Sequence, residues 1–262
     1  MLKLLRSAIF IIAESFFWIS DIVKGARLRK KTLSAMNEHI KKTAPEKYHQ
    51  ALQPDFNVGT KRRIFDSGYY AALNKPNFEL LMDDSVVTVA EKSVTTKAGV
   101  EIEADVIVFA TGFKVQDFFF PMRVSKTNTK STSTDLLQQL KTSNVATFKG
   151  TCCKNWPNLF FLMGSNTGTG HNSVIFTVEC QITMILKLMK PLLEALDHQT
   201  VQPTIEVTAA AQDRFNEELR AEMKKKVWEE KGAVSWYVDR ESGLCTALYP
   251  WSQVRVLSAS RL

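Results

Sequence analysis

Three adjacent cations, Lys61, Arg62 and Arg63, directly follow Gly59-Thr60 and are the residues of this chain best suited to chemistry. Like charges side by side in a loop repel one another and ordinarily stay in solvent unless an anionic ligand is near. There a lysine takes a phosphate as a point charge, and a guanidinium holds a developing oxyanion in place. A second candidate is the stretch GSNTGTGHNS at 164–173, where Gly168, Gly170 and Ser173 keep the spacing of a dinucleotide fingerprint whose last glycine is replaced. One long helix follows, and no acid ends a further strand. The spacing therefore reads either as a loop that delivers a helix N-terminus, with its free N–H groups, toward an electron-rich ligand edge, or as a plain turn capped by Asn172 or Ser173. The third candidate is DVIVFATGF at 105–113, an apolar run stopped by Gly112, whose missing Cβ lets the backbone turn sharply beside a ligand.

The elements that must carry these residues can be read from pattern. Residues 106–111 have the composition of a strand buried on both faces of a parallel sheet, and NLFFLM at 158–163 reads as a second such strand. NFELLM at 77–82 is expected as a short strand after Pro76. Alternation over 86–90 and 100–104 around the turn signal Ala98-Gly99 predicts a small antiparallel insert. Helical patterns span 1–48, 173–189, where Pro191 should kink or stop the helix, and 209–229, whose late lysines suit the helix dipole. The hydrophilic run 125–135 is expected as a surface loop. Strand, glycine turn and helix recur in the order that α/β nucleotide-binding sheets use.

Composition bounds the function. A chain of 262 residues with 45% hydrophobic and 10% aromatic content can bury a core, so a disordered protein is excluded. The 34 basic and 27 acidic residues give a net charge of +7, which permits phosphate binding. The basic runs at 24–31, 61–63 and 224–226 lie far apart and lack interleaved aromatics, which argues against nucleic acid as a partner. Cys152 and Cys153 are adjacent while Cys180 and Cys245 stand alone, so neither a disulfide framework nor a metal site is expected and a reducing, cytoplasmic setting is the default. His39, His49, His171 and His198 are likewise scattered. The amino end has a basic start, but its longest uncharged run, 7–13, is far short of the roughly 20 residues a spanning helix needs. It reads as an amphipathic helix packed on the protein, with attachment of residues 1–23 to a membrane surface as the alternative.

Several stretches together resemble one known family. DVIVFATGF, GTKRRIFDSGYYAALNKPNFELL, NWPNLFFLMGSNTGTGHNS followed by VECQ, and VWEEKGAVSWY with a later Tyr249-Pro250 are similar, in the same order, to the second half of flavin-containing monooxygenases of the Baeyer–Villiger type. The resemblance implies FAD and NADPH as cofactors and an incomplete α/β flavoprotein fold with two dinucleotide-binding, Rossmann-like domains and helical terminal segments. It makes Ala110, Thr111, Gly112 and Phe113 the turn where the chain returns from the NADPH domain and passes the flavin. Lys61 falls where the family recognises the 2′-phosphate of NADPH. Arg62 matches the arginine that stabilises the negatively charged flavin peroxide. Gly164, Asn166 and Thr167 would border the isoalloxazine ring, with the next helix pointing its positive end at it. Trp236 would line the substrate and nicotinamide side.

The same resemblance implies segments 1–56 as a helical lead-in, 57–104 as a remnant of the NADPH domain, 105–190 as part of the FAD domain and 191–262 as a helical, irregular tail. The reaction would be insertion of oxygen from O₂ beside a ketone or at a heteroatom. The 11 glycines include no complete GxGxxG, Ala233 stands where relatives often carry Cys, and 123–135 lacks the Gly and Trp expected there. The chain is thus expected to be a carboxyl-terminal portion that binds FAD poorly by itself and that a separate amino-terminal half would complete. The alternative is a non-catalytic relative acting as an interaction or membrane-surface module.

Overall fold

The computed structural model describes residues 2–82, 84–126, 135–197, 203–230 and 235–259. Most of the 125–135 loop, Ala233 and His198 lie outside them. The chain forms two compact units, one from Met1–Arg29, Phe56–Arg63 and Val115–Leu262, the other from Lys30–Asp55 and Ile64–Lys114. Along the sequence run helices α1 (Leu2–Ser15), α2 (Ala26–Thr43), α3 (His49–Leu52), α4 (Tyr69–Ala72), α5 (Leu136–Thr142), α6 (Val174–Asp197), α7 (Ala209–Met223) and α8 (Gln253–Ala259), with strands β1 (Val86–Val89), β2 (Ser93–Thr96) and β3 (Glu101–Glu103) between α4 and α5.

In the smaller unit the three strands pair antiparallel in the order β1-β2-β3, and Gly99, at φ +84°, turns β2 into β3. This is the antiparallel insert that the alternation predicts. Ile40, Ala44, Tyr48 and Leu73 form a separate core in the same unit, and the Tyr48 hydroxyl accepts the Leu80 N–H at 3.1 Å.

The expected buried strand at 106–111 does not form. The segment is extended without a ladder partner, and Val106, Val108 and Phe109 are exposed, Val108 at 82%. NLFFLM and NFELLM are also outside any strand. The reason is a shortage of neighbours. An interior strand needs hydrogen-bond partners on both edges and packing on both faces, and among the described residues the only sheet is the β1-β2-β3 insert. An apolar run is therefore not enough to make a sheet interior, because composition cannot supply the flanking strands.

The larger unit is held by two clusters. Leu219, Met223, Val227, Trp228, Tyr237, Cys245, Leu248 and Trp251 pack around the end of α7, and Leu136, Leu140, Cys153 and Trp156 pack around α5. All four cysteines are buried and free. Helix α6 runs through Pro191 instead of stopping there. Pro191 is exposed, so water can satisfy the backbone carbonyl that loses its intrahelical donor. Lys226 is buried, with Nζ 3.5 Å from Asp21 and 3.3 Å from Glu222, and lies 4.7 Å over the Phe17 ring. It joins the segment after α1 to the end of α7.

Helix α1 reaches the start of α6 through Glu14. Its Oε1 accepts from His171 Nε2 at 2.7 Å, from Asn172 Nδ2 at 3.3 Å and from the Gln253 N–H at 3.3 Å. The rest of α1 presents Leu4, Leu5, Ile9 and Ile12 to solvent. Among the described residues no helix is long and apolar enough to cross a membrane.

Two outcomes follow for stability. Replacing Val108 by lysine should change the unfolding free energy of this chain by no more than about 0.5 kcal/mol, as for other exposed positions; a loss of several kcal/mol in urea denaturation would return the segment to a buried strand. Burial works against the Glu14 carboxylate, but the bonds from His171, Asn172 and Gln253 outweigh it and leave its pKa below the ordinary 4.5. A depressed pKa gives stability that is fully present above the unfolded value and is lost as pH falls through the folded one. Glu14→Gln should therefore lower stability near neutrality and flatten its decline below about pH 4.5, measured as urea midpoints across pH.

Candidate active site

The glycine stretch 164–170 is fixed from inside. Gly164 accepts no side chain: a Cβ there would lie 2.5 Å from the Phe161 ring and 2.7 Å from the Gly150 carbonyl. Asn166 adopts φ +55°, a left-handed conformation that asparagine tolerates better than most residues. Its Nδ2 donates to the carbonyls of Cys245 at 2.7 Å and Leu248 at 3.0 Å, and its Oδ1 accepts from Arg220 Nη2 at 2.9 Å. The backbone adds Asn166 N–H to Thr246 O at 2.6 Å and Gly168 N–H to Ala247 O at 2.9 Å, with Tyr249 N–H returning to Gly168 O at 2.8 Å. Thr167 is buried and donates to the Gly164 carbonyl at 2.7 Å. Asn166 thus spends its side chain on holding the turn to 245–248, while Thr167 closes the turn on itself.

That clamp brings the next glycine to a tyrosine. A Cβ on Gly170 would lie 3.9 Å from the Tyr237 hydroxyl. Tyr237 is 1% exposed, and its hydroxyl has no hydrogen-bond partner among the described residues. Burial pushes this phenol's pKa up, and the Arg62 charge beside it pulls it partway back. The guanidinium acts there without a well-formed hydrogen bond, and Arg62 itself is exposed. A buried unsatisfied hydroxyl costs about 1–3 kcal/mol, and here the Arg62 guanidinium is the polar group set beside it.

The flanking cations are held by aromatic rings. Lys61 Nζ lies 4.0 Å over Phe56, and the Arg63 guanidinium lies 4.4 Å over Phe16. The loop bearing them is pinned by Thr60, which is buried, and by the Trp228 indole N–H donating to the Gly59 carbonyl at 3.0 Å. Gly59 has φ +102°, which admits no ordinary side chain. Trp236 is half exposed at 53%, with its ring 4.3 Å from that of Tyr237. Gln116 donates to its carbonyl at 3.2 Å and accepts from the Thr246 hydroxyl.

The larger unit therefore contains Lys61, Arg62, Gly164, Asn166, Thr167 and Trp236 of the expected residues, and it brings Arg62 to the neighbour of Trp236. Ala110, Thr111, Gly112 and Phe113 belong to the smaller unit. Gly112 does turn, at φ +82°, and a Cβ there would meet nothing within 4 Å, while Phe113 is 95% exposed. The start of α6 is capped as well as presented. Asn172 Oδ1 accepts the Ser173 N–H at 2.9 Å and Ser173 Oγ accepts the Phe176 N–H at 3.3 Å, yet Val174 and Ile175 of the first turn are exposed. Tyr237 and Glu14 were missed from sequence. Tyr237 stands in the SWY triplet, but only the fold shows that its hydroxyl is left unpaired. Glu14 directly follows the uncharged run 7–13, and nothing in that spacing reports its partners.

No family model matches the chain. At the sequence level it is 33% identical over 213 residues to a Baeyer-Villiger monooxygenase of Pseudomonas aeruginosa, covering 81% of this chain and 38% of that protein. It is 31% identical over 199 residues to a Baeyer-Villiger monooxygenase of Streptomyces coelicolor, covering 76% and 36%. The chain thus spans under two fifths of the length of these relatives. In structure it is similar to the OTEMO complex with FAD and NADP, with a TM-score of 0.73 and 20% identity over 95% of this chain and 48% of that one. This chain belongs to the Baeyer–Villiger-type flavin monooxygenase family and matches part of its members' length, as a carboxyl-terminal portion would.

Proposed function

We propose that this chain supplies the reaction-side half of an FAD- and NADPH-dependent monooxygenase that inserts oxygen beside a ketone carbonyl or at a heteroatom, and that a second polypeptide portion bearing the FAD diphosphate cradle completes it. Its fold would be the incomplete two-domain, Rossmann-like arrangement that the family resemblance implies, and its setting the cytoplasm. The observation that carries the reading is the exposed Arg62 beside the buried, unpartnered hydroxyl of Tyr237 at the Gly170 turn. These residues fit the polar edge of a ring that is reduced and then reacts with O₂. Nothing in the chain has the complete GxGxxG that cradles a diphosphate. The fit is therefore to the reacting end of FAD and not to its far end.

Flavin, reduced by NADPH, would supply the activated oxygen. The residues of this chain do the rest. Arg62 holds a fixed positive charge where negative charge develops on oxygen, which is most effective where water is excluded. The Tyr237 hydroxyl, kept protonated by burial, is available as a donor beside it. Lys61, stacked on Phe56, offers a point charge for the 2′-phosphate of NADPH. Trp236 contributes an exposed apolar face for nicotinamide or substrate. Ala110, Thr111, Gly112 and Phe113 form the second flavin-bordering turn in this reading, and Gly164, Asn166 and Thr167 set the position of Gly170. The unpaired run 106–109, together with Phe113, is the surface on which the complementary half would add strands. The exposed apolar side of α1 is the feature that would support peripheral membrane contact.

The purified chain alone should be colourless, and a fusion to the amino-terminal portion of the Pseudomonas aeruginosa relative should be yellow. In that fusion Arg62→Ala should leave NADPH oxidation running while oxygenated product falls by about 10²-fold, the usual loss of one donor to a developing oxyanion. Unchanged product yield would remove Arg62 from the reaction. Lys61→Ala should weaken NADPH far more than NADH, read as the ratio of the two KM values; an equal effect on both would remove Lys61 from phosphate recognition.

A further inference from the structure

The larger unit contains a cavity of about 240 Å³ to which the proposed oxygenation assigns no role. It lies among α6, α7, α8 and the loop at 149–151, with Lys149, Cys180, Met184, Phe215, Tyr249 and Arg255 on its walls. The volume is just under the range of about 300–1,000 Å³ usual for drug-sized ligands, so its occupant is small. Met184, Phe215 and Cys180 make one side apolar.

The charges on the other side do not balance. Arg255 is bonded to Glu218 at 3.1 Å and stacked 4.1 Å over Trp251, so the one acid on the cavity wall is already used. Lys149 makes no salt bridge among the described residues; its ammonium lies 5.1 Å from the Phe148 ring centroid. Burial pulls its pKa down, with Arg255 adding to that and Cys152 pulling it back up. The threonine hydroxyls are already engaged: Thr167 donates to the Gly164 carbonyl, Thr151 donates to the Lys149 carbonyl and accepts from Gln181, and Thr177 accepts from Gln253. Tyr249 also lines the cavity, and burial pushes its phenol pKa up and keeps it protonated, while the Arg255 charge pulls the other way.

The geometry points to a binding site for a small carboxylate with an apolar tail, the carboxylate taking the Lys149 ammonium and the Tyr249 hydroxyl while the tail lies along Met184 and Phe215. The site is built within one unit and requires neither FAD nor a second polypeptide, so it stands or falls apart from the oxygenase reading.

Hexanoate and its neutral counterpart hexan-1-ol, titrated calorimetrically into the purified full chain, test it. Hexanoate should bind about tenfold or more tightly than the alcohol, as expected for one charge-assisted hydrogen bond. Lys149→Met should erase that difference and leave the alcohol unaffected. Equal binding of acid and alcohol, no binding of hexanoate, or undiminished binding by the folded variant would each overturn the site. Should Lys149→Met not fold, acetylation of the native chain decides instead. Hexanoate should slow modification of Lys149 by acetic anhydride and leave exposed Lys41 unchanged in peptide mass spectra, and absence of selective protection would refute the assignment.

Discussion

The candidate site depends on the satisfaction of one buried amide. Asn166 sits in a left-handed conformation with both ends of its side chain committed, two carbonyls of 245–248 on its nitrogen and Arg220 on its oxygen. Arg220 can serve there because Glu229 balances it at 3.3 Å, and Glu229 also accepts the Cys245 N–H at 2.7 Å. A partly satisfied buried polar network costs more than an apolar core, so such an arrangement holds the two segments in a single register. That register places Gly170 against Tyr237. Helix α7, the 164–170 turn and the 237–249 segment are thereby one positioning device, although they are far apart in sequence.

How legible the site was follows from which of its contacts are local. Lys61 and Arg62 were visible because three adjacent cations after a Gly-Thr pair are costly without a purpose. Gly164 and the start of α6 were visible because glycine spacing before a long apolar helix is a local pattern. Asn166 was found as a position, but its work is nonlocal: three of its partners lie 54 to 82 residues away. No spacing rule reports that. The same holds for Tyr237, whose burial arises from packing against α7 and Leu248, and for Glu14, which meets His171 across 157 residues.

The fold divides along the same line. The β1-β2-β3 insert was legible because each strand finds its partner a few residues on, the second turn being marked by Gly99. The apolar runs at 106–111 and 158–163 carry the composition of sheet interiors, and composition is a statement about surroundings. A chain spanning under two fifths of its relatives' length can retain the composition of an interior strand without containing the partners that would make it one. Val106, Val108, Phe109 and Phe113 are exposed, and apolar side chains on an unpaired extended segment favour pairing with another chain.

Charge is treated in two ways in the larger unit. Two buried cations are neutralised within the chain: Lys226 has Asp21 and Glu222, and Arg220 has Glu229. Arg62 is handled in the opposite way, exposed and set beside a hydroxyl that is buried and unpaired. In water a guanidinium stabilises a developing negative charge only weakly, because the solvent screens it; at low effective dielectric the same charge at the same distance acts several times more strongly. Arg62 therefore gains its force only when further polypeptide or a ligand excludes water from it. Tyr237 is the group beside it, a phenol kept protonated by burial and set against the Arg62 charge.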